Sequence, residues 1–432
     1  MTSPPVPSEG EGLELNAIKC FIEHNNFKLS IIQNRISMIA VEEALAIVLS
    51  KPGVYGTEKV SLMDAGNRFL WEDIFADRDS PPYNRVMMDG IAIDSSVLSL
   101  NEPGNFFIEN IQAAGDIQKI LSDKNNCIEV MTGAILPANT DTVIPYENID
   151  IVNNRAYIKQ PVAPKKYIHL QGSDHKKNQL ALHRSKRLNG ADIGLLAAVG
   201  ISSVPVYTLP KVAIVATGNE LVDVDVIPDS HQVRMSNVYS LHAALKMDMI
   251  SSDIFHINDD EETLFTQLSA VVNKYDVVLI SGGVSKGKYD YVPDILDKLG
   301  VQKLFHQVAQ RPGKPFWFGH HPDLHTHVFA FPGNPVSTFV CYHYYFRQWL
   351  FASFGNQLQL PLMLLSGGIT PSNTLSQFIP VVLNDKGDEV SEVFNNGSGD
   401  LFSLSVIDGY IFLPKGDKVY PAKSSFRFLK IV

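Results

Sequence analysis

Residues 281–290 read Ser-Gly-Gly-Val-Ser-Lys-Gly-Lys-Tyr-Asp. Glycines let backbone N–H groups approach an anion, and a following helix start favours negative charge. Lys286 and Lys288 add positive charge, while Asp290 places a carboxylate in the same loop. A hard divalent ion bridging to phosphate would use that carboxylate. Four apolar residues, Val277 to Ile280, precede the loop, and Val292 to Leu296 follow with helical spacing. The loop is therefore expected between a strand and a helix, at the carboxyl edge of an α/β sheet, where ligands bind. Alone, the same residues also fit a plain tight turn.

Other stretches carry comparable chemistry. Thr217-Gly218-Asn219-Glu220 follows an apolar run, so Glu220 is a candidate metal or substrate carboxylate. Arg311-Pro312-Gly313-Lys314-Pro315 puts two cations on a proline-stiffened segment, which suits an anion clamp with little entropy to lose. Phe331-Pro332-Gly333-Asn334-Pro335 sits at a strand–helix junction, with Pro335 near the first helical turn. Asp89-Gly90 and Thr132-Gly133 each read as turns when taken singly.

These residues need a scaffold of several units. The chain has 432 residues, so two to four domains are expected. Hydrophobic content is 45%, mean hydropathy is near zero, and the net charge of −10 lacks the basic footprint of a nucleic-acid binder. No run approaches a membrane span, and the acidic, Pro-rich N-terminus is unlike a signal peptide, so a cytoplasmic protein is expected. Cys20, Cys127 and Cys341 form no CxxC pair or zinc pattern, consistent with a reducing compartment.

Residues 1–37 read as an extra N-terminal segment, with disorder expected and Met38 as an alternative start. A mixed linker domain is assigned to 38–70 and 160–204, with helices near Val41–Leu49 and Leu188–Gly200. Residues 71–159 read as a β-rich lid. Residues 205–352 alternate strands and helices and predict a parallel sheet covered on both faces, closed by one aromatic-rich helix from Pro335 to Phe351. Residues 353–432 return to short strands, including Leu401–Leu404, and predict a small β-barrel. The fold class is thus multidomain α/β and β.

Six stretches, in order, resemble the molybdopterin molybdenumtransferase family, which includes MoeA and the C-terminal domain of gephyrin. The family patterns PPFxNSAMDGYA, TGAPIP, TGDEL, SGGVSxGxxDY, KPGKPxxFG and PGNPVS match Pro81–Ala92, Thr132–Pro137, Thr217–Leu221, Ser281–Tyr291, Arg311–Gly319 and Pro332–Ser337. Gly397-Ser398-Gly399 fits the family's GSG turn, and the resemblance spans about residues 38–432.

The resemblance implies insertion of molybdate into adenylated molybdopterin, with AMP released, Mg2+ required and molybdenum cofactor formed. It implies a homodimer whose site is shared between subunits, and transient contact with molybdopterin adenylyltransferase and molybdoenzymes. Ser281, Gly282, Gly283, Ser285 and Gly287 would cradle phosphate. Glu220 and Asp290 would hold metal, and Arg311 with Lys314 would bind oxyanion beside Pro312 and Gly313. Thr217, Gly218, Ser236, Asn237, Pro332, Gly333, Asn334, Ser337 and Ser398 would complete the ligand site, with Ser236 capping its helix. Asp89 and Thr132 would close it from the other subunit.

The chain departs from the family at several positions. Arg311 stands where lysine is usual, changing a point charge to a fork. The Asp-Ser-Asn triplet becomes Met235-Ser236-Asn237, and Arg-x-x-Gly-Glu-Asp becomes His169-Leu170-Gln171-Gly172-Ser173-Asp174. Ile91 replaces a tyrosine, and Lys286 and Lys288 are unusually cationic. These departures keep open a non-catalytic molybdopterin-binding or scaffold paralogue. A molybdopterin adenylyltransferase is the less favoured alternative, since the lid and barrel have no place in a single-domain one.

Overall fold

A computed structural model describes residues 38–98, 104–285 and 290–431. The N-terminal segment 1–37 and the loop residues Lys286, Gly287 and Lys288 lie outside the described residues. No helix among the described residues is long and apolar enough to cross a membrane.

Helix α1, Val41–Leu49, buries Val41, Ala44 and Val48, the i, i+3, i+7 face of its apolar stripe. Strand Thr57–Ser61 pairs antiparallel with Ser203–Tyr207, and Ile74–Phe75 pairs with Leu180–Leu182. A mixed unit is thereby built from two distant stretches of chain, with Leu70, Leu188, Leu196, Val204 and Val206 in its core. Its helix α2, Gly190–Ala198, starts with a capping box between Asn189 and Asp192 and is followed by Gly200 at φ +78°.

Between these stretches lies the lid, a six-stranded curled sheet. Its order is Thr142–Pro145, Gly90–Ile93, Cys127–Val130, Asn105–Gln112, Arg155–Ile158 and Ile149–Val152. Strand Gly90–Ile93 is buried throughout. A side chain at Gly90 would meet the Ile144 carbonyl oxygen at 2.0 Å. Only glycine allows that approach, which fixes the start of the strand beside Asp89.

The α/β domain holds a six-stranded sheet. Its strands are β1 (Val212–Thr217), β2 (Ser252–Ile257), β3 (Val277–Ser281), β4 (Gln302–His306), β5 (Trp317–His320) and β6 (His327–Phe331), in the order β2-β1-β3-β6-β5-β4. The first four in that order are mutually parallel, as expected from the apolar runs. The sequence reading did not assign β4 or β5, and β5 runs antiparallel to both neighbours. Helices α3 (Ser236–Met247), α4 (Glu261–Lys274), α5 (Val292–Lys298) and α6 (Pro335–Cys341) cover the two faces. Helix α4 buries Leu264, Leu268, Val271 and Val272, each contributing about 1.5–3 kcal/mol.

The expected single helix from Pro335 to Phe351 is interrupted. A π-helical turn, Tyr342–Phe346, separates α6 from α7, Arg347–Ser353. All five side chains of this wider turn are buried. Helix α1 packs against α7, where Trp349 donates its indole N–H to the Lys51 carbonyl at 2.6 Å.

At the C-terminus, Ser376–Leu383, Glu389–Glu392, Leu362–Leu365, Ser425–Lys430 and Gly409–Leu413 close into a barrel, since the first strand also pairs with the last. Leu401–Leu404 is not a strand, contrary to expectation. Residues Leu401–Ser405 form a 3-10 turn, capped by Asp400, whose carboxylate accepts from Ser403 N. An Asp ahead of a short apolar run favours such a cap over extension.

Candidate active site

Every motif of the α/β domain falls on one edge of its sheet. Gly218–Glu220 follows β1, Asn258–Asp260 follows β2, Gly282–Ser285 follows β3, 307–316 follows β4, and Pro332–Asn334 follows β6. These strands run in the same direction, so all five loops leave their carboxyl ends together.

Asn237, in the first turn of α3, ties three of the pieces. Its side-chain amide donates to Ser281 Oγ at 2.8 Å, the Gly333 carbonyl at 2.7 Å and Thr338 Oγ1 at 3.3 Å. Gly282 N donates to the Phe331 carbonyl at 3.1 Å, binding the Gly-rich loop to β6. At Gly282, φ +105°, an added Cβ would sit 2.6 Å from the Thr217 carbonyl oxygen; at Gly283, φ +67°, it would sit 2.8 Å from Thr217 Oγ1. The cradle is therefore shaped by backbone approach that only glycine permits. Thr217 Oγ1 beneath it is buried and has no hydrogen-bond partner among the described residues, an exception to the rule that buried polar atoms are paired. Asn334 donates to Ser398 Oγ at 2.7 Å, bringing the GSG turn of the barrel domain to the start of α6. Ser337 is nearly covered, at 3% exposure.

The carboxylates are grouped on the same edge. Ser285 Oγ donates to Asp290 at 2.6 Å. Glu220 folds back over Gly218, where an added Cβ would meet its carboxylate at 2.7 Å. The sequence reading missed a third acid, Asp259. Burial first, then the charges of Glu220 and Asp290, push its pKa up to about 6. Asp259 is the second residue past β2, and a strand end followed by Asn-Asp-Asp was the signal available. Two histidines also escaped notice. His256 bonds the Gly218 carbonyl at 3.0 Å and His306 bonds the Val284 carbonyl at 2.9 Å, bracing two ligand loops.

These residues fit Mg2+ in one way. Among the described residues no three His, Cys, Asp or Glu side chains form a closed metal cage. Mg2+ binds through one or two carboxylates plus substrate phosphates, and mutually repelling acids beside a glycine cradle supply that donor set.

Arg311 and Lys314 are exposed and take part in no salt bridge among the described residues. Ser236 does not cap α3. Met235 occupies the N-cap position with no side-chain cap bond, and Ser236 is the first helical residue. Met235 itself is 7% exposed and packs in the main core, so the position is now apolar rather than merely uncharged.

In the lid, Asp89 accepts from Thr132 N at 2.6 Å and from Thr132 Oγ1 at 2.7 Å. Those two bonds hold its carboxyl below the usual range. Strand Ile168–His169 pairs with Arg85–Val86, so Arg85 bonds His169 at 2.9 Å and His169 bonds Asp174 at 2.6 Å. Arg85 thus places a cation directly beside His169. Among the described residues no hydrogen bond or ion pair joins the Asp89–Thr132 pair to the α/β loops within one chain.

Comparison with known proteins agrees with this layout. The family model of the MoeA N-terminal region, domains I and II, matches residues 39–200, and that of a probable molybdopterin binding domain matches 213–352. The molybdopterin molybdenumtransferase of Synechocystis sp. is 35% identical over 90% of this chain and 99% of its own length. The chain belongs to the molybdopterin molybdenumtransferase family. A Bacillus subtilis member is 28% identical over 91% of this chain and 94% of its own. The solved molybdopterin biosynthesis MoeA protein of Pyrococcus horikosii superposes with a TM-score of 0.76 at 28% identity, covering 92% of this chain and all of that one.

Proposed function

We propose that the protein makes molybdenum cofactor in the cytoplasm by inserting molybdate into adenylated molybdopterin. Water cleaves the phosphoanhydride, so that AMP leaves and the phosphate stays on molybdopterin, while the dithiolene sulfurs take molybdenum and displace molybdate oxygen as water. One observation carries this reading: a glycine-shaped cradle, three neighbouring carboxylates and two cations with no salt bridge among the described residues share one sheet edge. No protein nucleophile is needed. Gly282, Gly283, Ser281 and Thr217 seat phosphate, while Arg311 and Lys314 seat oxyanion. Glu220 and Asp290 would hold Mg2+, which supplies charge screening between anionic reactants. The protein's share of catalysis is proximity and electrostatic preorganisation.

The Asp89–Thr132 pair has no partner site in its own chain among the described residues, which supports a homodimer in which the lid of one subunit closes the cleft of the other. Delivery from molybdopterin adenylyltransferase and hand-off to molybdoenzymes would be transient contacts.

The buried Met235 favours a second reading, a diverged protein that binds molybdopterin without turnover. Purified protein given adenylated molybdopterin, molybdate and Mg2+ is expected to release AMP. No release where a reference family member turns over would leave the binding-only reading standing.

A further inference from the structure

The loop that carries Arg311 and Lys314 rests on a buried polar knot. Gln310 is fully buried, and its backbone pairs with Ser376 of the barrel. Its side-chain oxygen accepts from the Tyr345 hydroxyl. Its amide nitrogen donates to the Pro312 carbonyl at 3.1 Å and reaches Cys341 Sγ at 3.5 Å. Cys341 and Tyr345 are four residues apart across the start of the π-helical turn, so both present to one side. Gly313, φ +91°, fits against this knot with no spare room. An added Cβ would lie 2.6 Å from Gln310 Nε2 and 2.7 Å from Cys341 Sγ. Downstream, the Phe316 ring packs on the Tyr345 ring with centroids 4.8 Å apart, and the Lys314 carbonyl accepts from Val308 N at 2.9 Å. The loop is fixed before, within and after the two cations, while the cations themselves stay exposed.

We propose that Gln310 and Tyr345, with Cys341, are positioning residues that hold Arg311 and Lys314 in register for an oxyanion substrate. This rests on the clamp role given to those cations above. Once buried, the Gln310 amide must keep these bonds or incur the cost of an unsatisfied polar group, so the loop carbonyl of Pro312 is held in one place. A preformed clamp gains affinity because little motion is lost on binding. The oxyanion has two sources, molybdate and the phosphates of adenylated molybdopterin, so the test varies each separately.

Tyr345→Phe, Gln310→Met, the double variant and Arg311→Gln would be compared by steady-state AMP release, with thermal melting as the folding control. Each knot variant is expected to raise KM about ten-fold for whichever substrate Arg311→Gln affects, with kcat changed by less than about two-fold. The double variant should be no worse than the poorer single, since both break one knot. Cys341→Ala is the milder probe should a knot variant fail to fold, with a rise of about three-fold expected in the same KM. Folded variants with unchanged KM, alongside an affected Arg311→Gln, overturn the inference while leaving the clamp intact. A loss in kcat alone also overturns it. If Arg311→Gln moves neither KM, the clamp role falls, and this inference with it.

Discussion

Asp259 shows how a single unremarked residue sets the character of a site. Its carboxyl is raised to about 6 by burial and by two neighbouring acids. Below its ordinary value of 3.8 it is protonated in both folded and unfolded chains, and no penalty exists; above about 6 the folded state bears the full cost of ionising it. Asp259→Asn should therefore stabilise the metal-free protein at pH 7.5 by about 1 kcal/mol once solvent access is allowed for, read as a raised melting temperature. It should also blunt the rise that Mg2+ causes. In the parent, AMP release is expected to decline as pH falls through about 6, and that limb should move in the variant; an unmoved pH profile would detach Asp259 from the site. Thr217 gives a second test. Its hydroxyl is buried without a partner among the described residues, so Thr217→Val should leave or improve thermal stability while weakening molybdopterin binding about ten-fold or more.

At the scale of elements, the π-helical turn is where packing overrides pattern. His343 lies within it with both ring nitrogens buried and without a partner among the described residues, its rim filled by Phe339 at 4.4 Å and Tyr342 at 5.1 Å. Burial holds its pKa well below 6.5, and burial likewise lowers His327 to about 3. Such groups leave stability intact above the unfolded value of 6.5. As pH falls below it, the unfolded chain takes up protons that the folded chain refuses, at about 1.4 kcal/mol per pH unit for each histidine. Denaturant midpoints should accordingly drop between pH 6.5 and pH 5, and His343→Leu should recover part of that drop while costing little at pH 8. The helix ends nearby are joined by Asp248, whose carboxylate is 1% exposed and bridges Arg347 at 2.9 Å and Arg187 at 3.3 Å. Asp248→Ala should cost about 3 kcal/mol, measured by urea denaturation, because two cations lose their buried counter-charge.

The whole molecule separates its chemistry between units. The lid pair and the α/β edge are each well formed yet unconnected within one chain among the described residues. If two subunits share the site, an Asp89→Asn protein mixed with an Asp290→Asn protein should regain about a quarter of parental AMP release after subunit exchange. Half the dimers would then be mixed, and each mixed dimer would hold one intact site. Two inactive variants that stay inactive on mixing, while sedimenting as dimers, would place both residues in the same subunit's site.

The sequence alone determined the α/β domain, because parallel strands buried on both faces leave continuous apolar runs such as Val277–Ile280 that no surface element would carry. It also placed the glycine cradle, Glu220, Asp290 and Lys314 on loops, since Gly, Pro and strand-end position leave few other conformations, whereas Arg311 ends a two-residue strand paired with the barrel. Strands β4 and β5 were illegible, their apolar runs, Leu304-Phe305 and Trp317-Phe318, being only two residues long and each strand ending in a histidine. The cap at Ser236 failed because the apolar Met235 is drawn into the core, shifting the helix start by one residue. Only the tertiary structure brought Asp259 to Glu220 and Asp290, paired Arg85 with His169, and set Gln310 against Tyr345. Each of these contacts joins residues on separate elements, and local propensity carries no information about which loop a folded chain lays beside another.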